Sequence, residues 1–573
     1  MTPGDTDNAV HAAVGGDVYQ FRDVSVVTHN YARRGLPVST VLDAGRAASR
    51  FVRPGGFGVA LARLAGDRVV VLASRRGTGR RTAATCLLDG VGGLSLAEIE
   101  VDEESPLAKH PVSPRHGYLL DLTTADDRTV EQTATGLAAF RAKLSAEGSW
   151  LVLVVPPAHG HLFEAELVDL RPPAADEVLL AHLAADGLDD QADKWLAEPE
   201  VRRLLAGARV SDAARMADLV RRVSAQDGDF AQCCADVVAA LRDWSDQLTA
   251  EFRAHPDVPW RALLLAAAVL DQAHPDSVLA ASEALLRATG YVAEEEVHPL
   301  AGEGLAARLA SVGAVVDNDR VRLPKPDYAR SVLGYAWRDF PALRDHLVRW
   351  MISLPERYGD GEVVAGHLMD LAVPSVLTTA VAAWAERTPL RRLAERLLVA
   401  GALDTGLGFA VRRTIYDWSC RRDLSTPLST VALAVCGGEL GQRYPQVALT
   451  RIGHFAAREE LAQPVLDALS SLAHKHFTQV VIRLRRWLGE GTAPWDLVVT
   501  ALLDAAESEQ DGRGWILDQL VAACSGRPQD LGALELAALR WRGAGGADRQ
   551  RVQELLLAKV NRADPLVRAA ISS

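Results

Sequence analysis

The sequence predicts an α/β domain followed by a long, predominantly α-helical region. Three observations carry this. Between about 60 and 170, short apolar runs alternate with helix-compatible stretches, as in strands linked by crossover helices. Beyond Pro172-Pro173 the apolar residues fall almost entirely at 3.6-residue spacing. From about 360 onward, helical stretches recur between Gly, Pro or Asp breaks, the texture of a stacked helical array.

The composition fits this reading. The chain has 573 residues, 49% hydrophobic and 24% charged, enough for about three domains with real cores. A net charge of −12 disfavours general nucleic-acid binding. Six cysteines (Cys86, Cys233, Cys234, Cys420, Cys436 and Cys524) are too scattered for a disulfide framework. With no signal-like N-terminus and no long uncharged apolar run, the expectation is a cytoplasmic protein without a membrane span.

Residues 1–34 read as an extended or β segment. Val10, Val14, Val18, Val24 and Val26 share one face of an extended chain, with Gly15-Gly16-Asp17 as a turn. The stretch from Asn8 to Phe21 loosely resembles the amyloid signalling motifs near the termini of some bacterial NTPase receptors, although Arg22 departs from their pattern.

Residues 35–172 form the α/β unit. Strands are expected at Val69–Leu72, Ser95–Val101, 117–122 and 149–155, and helices near Thr82–Leu88 and Thr129–Glu147. Residues 173–257 read as a helical lid: Glu177–Leu188, Ala192–Ala206, Asp212–Ala225 and Gln232–Ala254. Within 258–355, Val315-Val316, Asn318-Asp319 and Val321-Arg322-Leu323 give a hairpin signal after helices, a winged-helix-like arrangement. The preceding helix is not basic, so a DNA-reading role is disfavoured. Tyr335, Trp337, Phe340 and Trp350 are expected in the core. Residues 356–573 are the helical repeats, expected to present a surface to a protein partner.

Chemistry concentrates in one place. The apolar run Val69–Leu72 leads through Ala73-Ser74-Arg75-Arg76-Gly77-Thr78-Gly79 into a helix beginning near Arg80-Arg81-Thr82. A strand, a Gly-containing loop and a helix N-terminus can cradle phosphate on backbone N–H groups. Against a Walker A loop, Gly79 aligns with the last glycine and Ser74 replaces the first. Arg80 then takes the lysine position and Arg81 the Ser/Thr position, with Thr82 one residue late as a candidate metal ligand. Ser74, Gly77, Thr78, Gly79, Arg80, Arg81 and Thr82 are thus the candidate phosphate-binding set. Asp121, ending an apolar strand, is the candidate acid for ordering Mg²⁺ and water, but the usual second acid is replaced by Leu122. Asp126 and Asp127 lie in the following loop, and His159 and His161 follow the strand ending at Val155.

This order of loop-bearing sheet, helical lid, winged helix and repeats resembles the STAND class of AAA+-related signalling NTPases, of the bacterial signalling and defence type. The resemblance implies a protein that couples nucleotide state to partner sensing and oligomerisation, with ATP or GTP and Mg²⁺ as cofactors. It also implies that Gly79 and Arg80 face the phosphates, that Arg81 or Thr82 stands at the metal, and that Asp121 is the catalytic acid. The departures at Ser74, Arg80, Arg81 and Leu122 imply slow hydrolysis or none. Arg344-Asp345-His346 is the nearest counterpart of the family's Met-His-Asp sensor. The alternative is a catalytically inactive scaffold that binds its partner through the repeats.

Overall fold

The computed structural model describes residues 44–73, 75, 77–101, 105–225, 229–292, 303–490, 494, 497–498, 500–502 and 504. The N-terminal segment 1–34, Ser74, Cys524 and the chain beyond 504 lie outside these residues.

Five parallel strands form the α/β sheet. They are β1 (Val69–Ala73), β2 (Ser95–Ile99), β3 (His116–Asp121), β4 (Trp150–Val155) and β5 (Leu167–Val168), in the order β2-β3-β4-β1-β5. Among the described residues two helices precede β1: α1 (Ala44–Ser49) and α2 (Phe57–Asp67). The crossovers carry α3 (Arg80–Val91) and α4 (Asp127–Glu147). Alternation explains why the central strands are apolar throughout. Val69, Val71, Tyr118, Leu120, Leu151 and Leu153 point to one face, where Phe140 and Leu144 of α4 cover them. Val70, Leu72, Leu119, Val152 and Val154 point to the other, against α2 and α3.

The two-residue strand β5 has too little sequence to register as a strand, and it is stabilised by parallel pairing beside Val71 and Leu72. In this order β4 lies between the loop strand β1 and β3, the strand that Asp121 ends.

After Pro172-Pro173 the sheet cores give way to one buried cluster running from Ala175 to Leu502. Two expected helices are each broken in two. Pro199 starts a new helix, so the first becomes Asp189–Ala197 and Pro199–Leu205. The second splits into Phe230–Leu241 and Ser245–Ala254, where Asp243 and Trp244 take left-handed backbone conformations. The two helices expected over 462–490 are present and meet at a kink at His476, whose backbone is non-helical (φ −126°, ψ 37°).

The expected hairpin is present as β6 (Val315–Asp317) and β7 (Arg320–Arg322). Asn318 and Asp319 both have φ near +50°, as a tight two-residue hairpin turn requires. The hairpin is fixed to the helices by hydrogen bonds from Gln272 N to Val321 O (2.7 Å) and from Val321 N to Ala273 O (2.9 Å). Trp350 is buried, and Tyr335 and Phe340 pack on Phe252 with ring centroids 4.8 and 5.6 Å away. Among the described residues no helix is long and apolar enough to cross a membrane, and no His/Cys/Asp/Glu group is arranged to hold a metal by itself.

Candidate functional site

The loop between β1 and α3 emerges at the carboxyl edge of the sheet, the edge where ligands bind in open α/β folds. Gly77 (φ +81°) and Gly79 (φ +76°) both occupy the left-handed region, which only glycine enters without strain. Gly79 precedes α3 directly, and its carbonyl accepts the Ala83 N–H at 2.9 Å. The first N–H groups of α3 therefore have no partner within the helix, which makes this end electropositive. Thr78 Oγ1 donates to Arg75 O at 2.8 Å and tightens the turn.

A second element closes over this loop. The N-terminus of the helix Val210–Ser224 rests on it, with Ser211 N donating to Gly77 O at 3.0 Å. A Cβ on Gly77 would come within 2.6 Å of Ser211 Oγ, and one on Gly79 within 3.2 Å of Val210 Cγ1. Both glycines are thus demanded by backbone conformation and by the close approach of the helix Val210–Ser224.

Beside the loop lies a small crevice with a cavity volume of about 70 Å³. Thr78, Gly79, Arg80, Thr82 and Ala83 form its loop side, and Leu72 and Ala73 its sheet side. Phe51, Val52 and Pro54 form one apolar wall, and Leu170, Pro172, Pro173 and Val178 another. His182 and Arg50 bring polar groups into it. Arg50 pairs with Asp186, which fixes its guanidinium near the rim. Burial, together with the charge of Arg50, holds His182 below its ordinary pKa against the pull of Asp186, so it is neutral at pH 7. The loop was visible from the sequence, but these crevice walls were not. Pro172-Pro173 registers in the sequence only as a boundary, and Phe51 and His182 belong to segments more than a hundred residues apart.

The structure distributes the candidate residues unevenly. Gly79, Thr78, Arg80 and Thr82 line the crevice together, and Arg80 is 9% exposed. Arg81 does not face it. Its guanidinium forks onto Glu98 of β2 at 2.6 and 2.5 Å, and Thr85 Oγ1 donates to its carbonyl at 3.0 Å. Placing the Arg81 side chain at a metal is therefore corrected: only its backbone adjoins the loop, because a buried carboxylate holds its side chain. Ser74 lies outside the described residues.

Asp121 sits at the same carboxyl edge, paired in register with Val154 one residue before the Ala73–Val155 pair. Two inter-strand spacings, about 10 Å, separate β3 from β1. Asp121 Oδ1 accepts from Thr123 N (3.0 Å) and Thr123 Oγ1 (2.6 Å), which orients the carboxylate while its other oxygen has no such bond within this turn. The neighbouring Leu122 is 2% exposed and belongs to the α4-side core, which explains why no acid stands there. Asp126 does not fold back towards the loop. It caps α4 by accepting from Thr129 N at 2.8 Å, and this bond lowers its pKa. Asp127 pairs with His159 at 3.1 Å, while His161 Nδ1 lies 2.9 Å from Ala158 O. Arg344 and His346 bond to Trp337 O and Ala288 O respectively, in the packing of the helical region.

The helical array also reaches the α/β domain. Arg443, ending the short helix Glu439–Arg443, donates through Nε to Glu98 Oε2 at 2.7 Å and through a second nitrogen to the same oxygen. Arg412 of the helix Gly408–Cys420 pairs with Glu100. Tyr444 lies under both arginines, 4.7 Å from Arg412 and 5.6 Å from Arg443.

No known protein family matches the sequence, and no curated protein does. Among solved structures, the chain aligns with a Signal Transduction ATPase with Numerous Domains (STAND) protein carrying a tetratricopeptide repeat sensor from Pyrococcus horikoshii. The identity is 9%, the alignment spans 91% of this chain and 92% of that one, and the TM-score is 0.22, too low to support an argument.

Proposed function

We propose that the protein is a nucleotide-responsive, signalling-type NTPase-like protein that binds the phosphates of a nucleotide at the 74–82 loop and hydrolyses the nucleotide slowly or not at all. The observation that carries this reading is the continuity of an apolar crevice with a two-glycine loop and a helix N-terminus. An apolar slot beside backbone N–H donors and a cation suits a planar base joined to an anionic tail. In this reading Phe51, Val52 and the Pro172-Pro173 wall enclose the base, and neutral His182 offers it a hydrogen bond. Gly77, Thr78, Gly79 and Arg80 hold the phosphates, with Arg81 contributing only its backbone N–H. Thr82 and Asp121 hold Mg²⁺, which when bound neutralises phosphate charge. The nucleotide is ATP or GTP. The helical array binds a protein partner, and nucleotide biases its contacts with the α/β domain.

A second reading is favoured by a specific feature. With Leu122 in the core, and Asp126 and Asp127 engaged elsewhere, no residue adjoining Asp121 stands ready as a general base. That feature suits a catalytically inactive scaffold. Calorimetric titration of the full chain with ATP, ADP and GTP, with and without Mg²⁺, separates the two readings. Micromolar binding that is lost in Arg80→Ala supports the nucleotide-responsive protein. No heat from folded protein free of carried-over nucleotide leaves the scaffold.

A further inference from the structure

The first turn of α3 and the helical array share one buried carboxylate. Glu98 lies on β2, the edge strand of the sheet, with its side chain 6% exposed. It receives Arg81 from α3 on one side and Arg443 from the array on the other. Glu100, just past the end of β2, is 9% exposed and receives Arg412. The five charged groups and Tyr444 fill the junction between sheet and array, and every one of them is at most 23% exposed.

Desolvating these charges is costly unless each keeps its partner. If the array moves away, Arg443 goes with it, and Glu98 is left to Arg81 alone beside water. If the α3 turn shifts, Arg81 shifts and Glu98 loses its fork. Either displacement disturbs the other side through the same carboxylate. Exposed pairs such as Arg421–Asp423 have no such reach.

We infer that Glu98 is a coupling residue: seating of the helical array on β2 fixes the Arg81 side chain and with it the phosphate-facing turn of α3. Occupation of the loop and seating of the array therefore stabilise each other. This regulation rests on the nucleotide reading of the 74–82 loop. The ligand that senses it is a nucleoside di- or triphosphate, and the moving part is the array.

The test uses the full chain with Arg443→Met, the milder Arg443→Lys, and an exposed-pair control, Arg421→Met. Hydrogen–deuterium exchange without nucleotide is followed over 77–84, 95–100 and 439–444, and the Kd for ADP and ATP is measured by titration. Linkage requires equal factors in the two directions, ordinarily about 5- to 150-fold. Arg443→Met is expected to raise exchange in all three segments and to weaken nucleotide at least about five-fold. Arg443→Lys should do the same to a smaller degree, because it keeps charge but loses the fork. Arg421→Met should change nothing. In the wild type, saturating nucleotide should slow exchange over 439–444.

Faster exchange over 95–100 and 439–444 with 77–84 and Kd unchanged would overturn the coupling while leaving the nucleotide site intact. If no nucleotide binds the wild type, the functional reading fails. Exchange over 77–84 then still decides whether the array governs the loop. Should Arg443→Met not fold, Arg443→Lys decides alone, and wild-type exchange in all three segments would overturn the inference.

Discussion

Burial alone would raise the pKa of Glu98, yet Arg81 and Arg443 outweigh that cost and hold it at about 2. A carboxylate depressed in the folded state contributes stability above its unfolded pKa, near 4.5, and that stability is lost as pH falls through 2. The shift corresponds to a contribution on the order of 3 kcal/mol. Glu98→Gln, which leaves two guanidinium groups facing a neutral amide, is expected to cost about 3–5 kcal/mol at pH 7. Urea denaturation should show that gap closing between pH 4.5 and 2, and equal stabilities at pH 7 would contradict it. The glycines give a separate test. Gly79→Ala forces a left-handed alanine, costing about 1–2 kcal/mol. Gly77→Ala adds a contact of 2.6 Å with Ser211 Oγ and should cost more, read as a larger fall in Tm. Asp121→Asn keeps an oxygen for the Thr123 bonds, so stability should change by less than about 0.5 kcal/mol. If Asp121 holds Mg²⁺, the same variant loses the Mg²⁺ dependence of nucleotide affinity, and an unchanged dependence would remove Asp121 from the site.

At the level of elements, the helix Val210–Ser224 rests on the loop through Ser211 N and Val210. Asp212 Oδ2 accepts the Arg209 N–H at 3.1 Å and fixes the start of that helix. Removing this cap with Asp212→Ala should cost about 1 kcal/mol and speed amide exchange at 77–79. Unchanged exchange there would mean the lid does not restrain the loop. How much of this was legible depends on the range of the cause. β1, β3, β4, α3 and α4 follow from local runs of apolar residues and are close to where the sequence places them. The broken helices followed from Pro199 and from left-handed Asp243 and Trp244, one a visible signal and the other set by tertiary packing. Glycine spacing pointed to the loop. The crevice, the Arg81–Glu98 fork and the engagement of Asp126 and Asp127 depend on residues brought together from distant segments, which periodicity does not encode.

Across the whole molecule, the sheet cores end near Leu170 and the helical core begins at Ala175, yet the two are joined again by charge at Glu98 and Glu100. The proposed nucleotide site lies where the loop, the crevice and the helix Val210–Ser224 meet. The most direct test is hydrogen–deuterium exchange of the full chain with and without saturating ATP or ADP. Nucleotide at the proposed site is expected to slow exchange first over 50–54, 77–84, 172–182 and 210–212, the segments that line the crevice and cover the loop. Unchanged exchange in all four, under conditions where binding is otherwise detected, would place the nucleotide elsewhere and contradict the proposed site.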